Sequence, residues 1–207
     1  MKVLNLYAGI GGNRKLWDGV DVTAVEINSE IAGIYQDFFP DDTVVIGDAH
    51  KYLVDHYGDF DFIWSSPPCP THSHIRKELA VEARGQNNPV YPDMDLYEEI
   101  IFLQGYAKCK YVVENVISWY KPLIKPQISG HHYFWSNFFI SNDVNNKYRG
   151  HHENINNLCL LKGFDLSFYN GIDKRKVLRN CVHPLLGKHI FDCAFRVKQE
   201  KLEVSLC

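Results

Sequence analysis

No run of apolar residues in this 207-residue chain is long enough to cross a bilayer. The first twelve residues, MKVLNLYAGIGG, lack the long apolar region and small-residue cleavage site of a secretion signal. No two of the six cysteines, at positions 69, 109, 159, 181, 193 and 207, form a C-x-x-C pair. That argues against a zinc ribbon and against a disulfide framework, and it makes a reducing cytoplasm the expected setting. The two His-His pairs and Cys69-x-x-His72 do not make a four-ligand set of ordinary zinc spacing, so no metal is expected. Internal repeats and low-complexity tracts are also lacking.

What is present is ordinary for a globular chain: 45% apolar and 23% charged residues, in a length that suits one α/β domain, residues 1–207. The net charge of −3 conceals an asymmetry. Between Lys147 and Lys188 there are eight Lys or Arg against three Asp or Glu, so the rest of the chain sums to −8. A basic segment on an acidic body is a footprint for a polyanion or a plain solvated surface.

The first half alternates short apolar runs with helical patterns. KVLNLYAG, DVTAVEIN, TVVIGDA, FDFIWSSPP and KYVVENV read as strands. NSEIAGIYQDFFP, HKYLVDHYG and PDMDLYEEIIFLQGYAK read as helices, the first capped by Asn28 or Ser29 and stopped by Pro40, the last opened by Pro92 and Asp93. This rhythm predicts a doubly wound, mostly parallel α/β sheet. Residues 70–92 form a long polar stretch, the length of a functional loop, with helical character possible over 74–83. From 136 to 170 the pattern weakens.

Strand ends carry the chemistry. Gly9, Gly11 and Gly12 follow the first strand and allow a tight turn against a ligand, although the third position of a dinucleotide G-x-G-x-x-G falls on Arg14. Glu26 ends the second strand, where a carboxylate can accept both hydroxyls of a ribose, and Asp48 ends the third. The fourth strand runs into Ser65-Ser66-Pro67-Pro68-Cys69-Pro70, which cannot continue as strand and presents Cys69 on a stiff loop. Cys69 reads either as a reactive thiol or as an inert structural one. The fifth strand ends in Glu114-Asn115, a carboxylate on the same edge.

Together these segments resemble the DNA (cytosine-5) methyltransferase family, in its small phage or bacterial form. LYAGIGG resembles the family's cofactor loop, VEIN its ribose segment, GDAH its adenine segment, SSPPCPTHS its catalytic Pro-Cys loop and VVENV its Glu-Asn-Val segment. RKVLRNCVHPLLGKHI resembles its last motifs, so 172–195 is expected to fold back onto the cofactor domain. The resemblance covers roughly 2–118 and 172–195. It implies a Rossmann-like fold and S-adenosylmethionine bound by Tyr7, Ala8, Gly9, Gly11, Gly12, Glu26, Ile27, Asp48, Ala49, Pro67, Asn180 and Val182. It further implies a covalent mechanism in which Cys69 adds to carbon-6 of a flipped cytosine, Glu114 serves ring nitrogen 3, Asn115 holds the loop and Pro68 shapes the pocket. The partner implied is DNA, touched by Ser73, Arg76, Lys77, Arg84, Arg149 and Arg175, with residues 70–92 closing over the base.

Two departures stand out. Where the family carries Gln-x-Arg-x-Arg, this chain has PQISGHHYFW, so His131 is expected to stand in for an arginine, with Arg149 as the alternative. The target-recognition space is only 141–171, which implies short or relaxed sequence readout. RNA or another cytosine substrate, a weakened binding homologue and transfer of a modified alkyl group remain open readings, as does a role in restriction–modification or phage self-protection.

Overall fold

The computed structural model describes residues 1–74, 91–142 and 154–195. Seven strands form one sheet: β1 (Lys2–Leu6), β2 (Asp21–Glu26), β3 (Thr43–Ile46), β4 (Phe62–Ser65), β5 (Lys110–Val116), β6 (Gln127–Ser129) and β7 (His132–Ser136). Their spatial order is β3-β2-β1-β4-β5-β7-β6. The first five pair in parallel, and β7 runs antiparallel between β5 and β6. The expected doubly wound, mostly parallel architecture is what is found. The order reverses between β1 and β4, and in open α/β sheets the crevice at such a switch point, beyond the strands' carboxyl ends, is where ligands bind.

Both faces of the sheet are covered, which is why its strands are apolar almost throughout. Side chains alternate along a strand. Val3, Val22, Phe62, Trp64 and Val112 face one layer, filled by Trp17 and by Leu186, Ile190 and Phe191 of α6 (Pro184–Phe195). Leu4, Leu6, Val25, Ile63 and Val113 face the other, filled by Leu53 of α2 (Ala49–His56) and by Leu96, Ile100 and Leu103 of α3 (Asp95–Tyr106). Each fully buried Leu, Ile or Phe stabilises the fold by about 1.5–3 kcal/mol relative to an exposed one. Helix α1 (Ser29–Phe38) starts where the Asn28 side chain accepts from the Glu30 and Ile31 amides. Helix α3 begins at Asp95, three residues later than Pro92 suggests, because Asp93 Oδ1 accepts from the Asp95 amide and forms a turn ahead of it.

The C-terminal segment is wedged into the turn after β1. A Cβ added to Gly12 would lie 2.2 Å from both Cys181 Sγ and Val182 O, and one on Gly187 would lie 2.4 Å from Asn13 O. Only glycine permits these approaches. Helices α4 (Ile155–Lys162) and α5 (Lys174–Asn180) complete this region. Leu158, Phe164, Leu166 and Leu178 are buried with Ile10 and Ile34. Leu158, Phe164 and Leu166 therefore anchor the described part of the 141–171 segment in the core beside the turn after β1, while most of its other described residues are exposed, Leu160 and Phe168 strongly so.

Candidate active site

The turn after β1 sits on one side of the switch point. Tyr7, Gly9 and Gly11 adopt φ of 54°, 54° and 81°. Tyr7 is the sole non-glycine residue with positive φ among those described, a strained conformation that its surroundings must hold. Its hydroxyl donates to Glu99 Oε2 at 2.9 Å, and Ser65 Oγ donates to Glu99 Oε1 at 2.5 Å. Glu99 is fully buried, and burial raises its pKa; burial also raises the Tyr7 phenol, with the Glu99 charge adding to it. This carboxyl therefore joins the ends of β1 and β4 from α3. Sequence reading missed it. The signal was available: Leu96, Ile100 and Leu103 mark the inward stripe of α3, and position 99 lies on it.

Glu26 occupies the end of β2. Its Oε2 accepts from the Gly9 amide at 3.0 Å and its Oε1 from the Asn28 amide at 2.9 Å. A carboxylate has about four acceptor positions, so two remain for a ligand's hydroxyls. Beside it Ile27 is 72% exposed, an apolar side chain with nothing over it. Asp48 caps α2, its Oδ1 accepting from the Lys51 amide, and Ala49 is buried behind it. Val182 is buried against the turn, while Asn180 is exposed at the end of α5. Carboxylates, an uncovered aliphatic face and a left-handed turn are the features that grip a nucleoside.

Across the switch point, Cys69 stands on the loop after β4. Pro67 is buried and its carbonyl accepts from Asn115 Nδ2 at 3.0 Å, while Pro68 is exposed. The Cys69 carbonyl accepts from the amides of His72 and Ser73. Trp119 then ties the loop to the segment that follows β5, its amide donating to His72 O and its indole to Thr71 O. His72 is buried, with Nδ1 2.7 Å from the Tyr120 hydroxyl. The thiol is therefore presented by a loop fastened at both ends. Burial pushes the Cys69 thiol up to about 11, and the negative charge of Glu114 adds to the rise.

Glu114, 6% exposed, faces that loop from β5. Its Oε1 lies 2.5 Å from Nδ1 of His132 on the neighbouring β7. The sequence expectation placed His131 in the arginine position. The structure instead brings His132 onto Glu114, because the hairpin turn is Gly130-His131 and Ser129 pairs with His132. His131 stays half-buried in the turn and has contacts of its own. Of the residues expected to touch DNA, Ser73 is half-buried in a bridge to Ser118 and Arg175 is exposed on α5. Arg76, Lys77, Arg84 and Arg149 lie outside the described residues.

A search of curated proteins finds no match to the chain. Among solved structures it is similar to a conserved hypothetical protein of Streptococcus pyogenes, at 19% identity over 65% of this chain and 83% of that one, with a TM-score of 0.40. It is also similar to a mutant of Spodoptera frugiperda DNMT2, at 24% identity over 56% of this chain and 35% of that one, with a TM-score of 0.39. A third similar structure is a putative DNA modification methyltransferase encoded within an Escherichia coli prophage, at 22% identity over 58% of this chain and 33% of that one, with a TM-score of 0.39. The match spans about a third of the length of each of these last two. A family model described as C-5 cytosine-specific DNA methylase matches residues 1–122.

Proposed function

The chain belongs to the C-5 cytosine-specific DNA methylase family, and we propose that it methylates carbon-5 of cytosine in DNA through a covalent bond from Cys69 to carbon-6. The observation that carries the reading is the placement of Cys69 and Glu114 at the ends of adjacent strands β4 and β5, across the switch point from the Glu26 turn.

The family's methyl donor is S-adenosylmethionine, which supplies an electrophilic methyl group on a sulfonium. The residues present fit it. Glu26 offers acceptors to the ribose hydroxyls, exposed Ile27 offers an apolar face to the adenine, and Asp48 and the Ala49 amide lie along the same edge. The turn from Tyr7 to Gly12 is held by Glu99 and by the C-terminal segment, and at Gly9, where nothing lies within 4 Å of an added Cβ, it leaves room for the methionine end.

The chain's own groups divide the chemistry. Carbon-5 of cytosine is a poor nucleophile until a thiolate adds at carbon-6, and Cys69 is the group poised to add. Burial, and after it the charge of Glu114, raises the pKa of its thiol, so a neutral Glu114 favours the thiolate that adds. Glu114 meets ring nitrogen 3 and supplies the proton that lets the ring accept the sulfur's electron pair. Asn115 keeps the Pro67 carbonyl in place, so that Cys69 is aimed before substrate binds. After methylation the carbon-5 proton leaves to a base, and the thiolate is expelled. Because carbon-6 is shielded in a stacked duplex, the target is a flipped or unpaired base. The small size of the 141–171 segment supports short or relaxed sequence readout.

The test is incubation of the purified protein with S-adenosylmethionine and matched DNA and RNA, followed by mass spectrometry of the nucleosides. We expect 5-methyldeoxycytidine from DNA. Absence of 5-methylcytosine from both nucleic acids would overturn the reading, and its appearance in RNA alone would move it to an RNA substrate.

A further inference from the structure

We propose that His132 is a positioning residue for catalysis, the partner with which Glu114 holds the proton that it delivers to the cytosine ring. The inference rests on the cytosine-5 reading above.

His132 Nδ1 and Glu114 Oε1 are 2.5 Å apart, with the Glu114 side chain 8% and the His132 side chain 27% exposed. Backbone pairing fixes the approach. Glu114 pairs with Phe134 across the β5–β7 ladder, which sets His132 two residues away on the same face of β7. Among the described residues no hydrogen bond is made to Glu114 Oε2, so that oxygen is left for the base. Among the described residues, Glu114 also interacts electrostatically with Cys69, on the loop after β4, and with Lys162, at the end of α4, whose Nζ donates to Cys181 O at 2.8 Å. His131 adjoins His132 in the turn.

The proton count is as follows. The pair enters the step with one proton on His132 Nδ1, donated to Oε1, and one on Glu114 Oε2. As the Cys69 sulfur's electron pair forms the bond to carbon-6, ring nitrogen 3 takes the Oε2 proton. Glu114 is left as a carboxylate that still accepts from His132 Nδ1–H. When the pair carries both protons it is neutral, and Glu114 no longer opposes ionisation of Cys69. An arginine at this position would set a fixed positive charge against Glu114 and favour its carboxylate, whereas a neutral histidine donates to Oε1 and leaves Oε2 able to carry a proton.

The rate then follows the product of Cys69 thiolate and doubly protonated pair. Below the pH at which the pair loses its second proton, it rises about tenfold per unit, as a single deprotonation requires. Above that pH, gain of thiolate is cancelled by loss of the pair's proton, and the profile levels off. The experiment is the pH–rate profile of wild type, His132→Arg and His132→Gln under saturating S-adenosylmethionine. Cofactor affinity from calorimetry and Tm serve as checks that the variants fold. We expect His132→Arg, whose fixed charge favours the Glu114 carboxylate, to stop climbing at a lower pH than wild type, and His132→Gln to be at least tenfold slower near neutrality with cofactor affinity unchanged. Superimposable profiles for wild type and His132→Arg, or full activity in His132→Gln, would overturn the role of His132. No methylation by wild type at any pH would instead overturn the cytosine-5 reading beneath it.

Discussion

The two sides of the switch point are built differently. On the cofactor side, the ends of β1 and β2 hold each other through backbone amides: Gly9 and Asn28 both donate to Glu26, and nothing from beyond residue 28 is needed for that contact. On the base side, every group is set by a residue distant in sequence. Asn115 holds Pro67, Trp119 and Tyr120 hold the residues after Cys69, and His132 holds Glu114. The Glu26 contact is made within a local turn, which Glu99 and the C-terminal segment brace from a distance, whereas the other half is assembled by tertiary packing throughout. Substitutions on the first side should change affinity, and those on the second should change rate.

The sharpest break expected is Glu114→Gln. It keeps the shape and removes the proton donor, so turnover should fall by about 10²–10⁴-fold, the range for loss of a general acid. Affinity for S-adenosylmethionine should be unchanged, and measuring both on one preparation checks the division of labour. On the opposite side, Glu26→Ala removes the acceptor of two backbone amides and the acceptor proposed for the ribose. Calorimetry should show cofactor binding weaker by about 1.5–3 kcal/mol, the range for charged hydrogen bonds, with kcat at saturation little altered.

A pH effect on stability sharpens the comparison through the C-terminal segment that braces the cofactor turn. His183 is buried, and burial, aided by the charge of Lys162, lowers its pKa to about 4. Its folded value lies below the unfolded one of about 6.5. The stability it contributes is therefore complete above about pH 6.5 and is lost as pH falls toward 4. Thermal melts should show Tm dropping across that window, and His183→Gln should flatten the drop. The smallest effect is that of Asn115→Ala, which strands the buried Pro67 carbonyl at a cost of about 1 kcal/mol. Hydrogen exchange should show faster opening of the loop after β4, with the turn after β1 unaffected.

This division also explains what could be read from sequence. Gly9, Glu26 and Asp48 are legible because each ends a strand in a repeating strand–helix rhythm, and the topology brings strand ends together whatever the details. Cys69 and Glu114 are legible for the same reason. The identity of the Glu114 partner is not, because His131 and His132 differ only by the register of a two-residue turn, and a slip of one residue turns a side chain to the other face of the sheet. Glu99 hid for another reason. A glutamate in a helix is normally solvated, and only its coincidence with the Leu96–Ile100–Leu103 stripe marks it as inward. The 141–171 segment reads as weakly patterned because α4 is short and its buried residues, Leu158, Phe164 and Leu166, are spread across a helix and a following loop.

The central claim is that Cys69 bonds covalently to the target base. It is tested most directly by incubating the protein and S-adenosylmethionine with DNA carrying 5-fluorocytosine, whose fluorine blocks the final proton loss, and weighing the complex by mass spectrometry. The expected result is a stable protein–DNA adduct that maps to Cys69 and is absent in Cys69→Ser, with cofactor binding retained by that variant. Methylation of ordinary DNA by Cys69→Ser, or an adduct mapping to another residue, would contradict it.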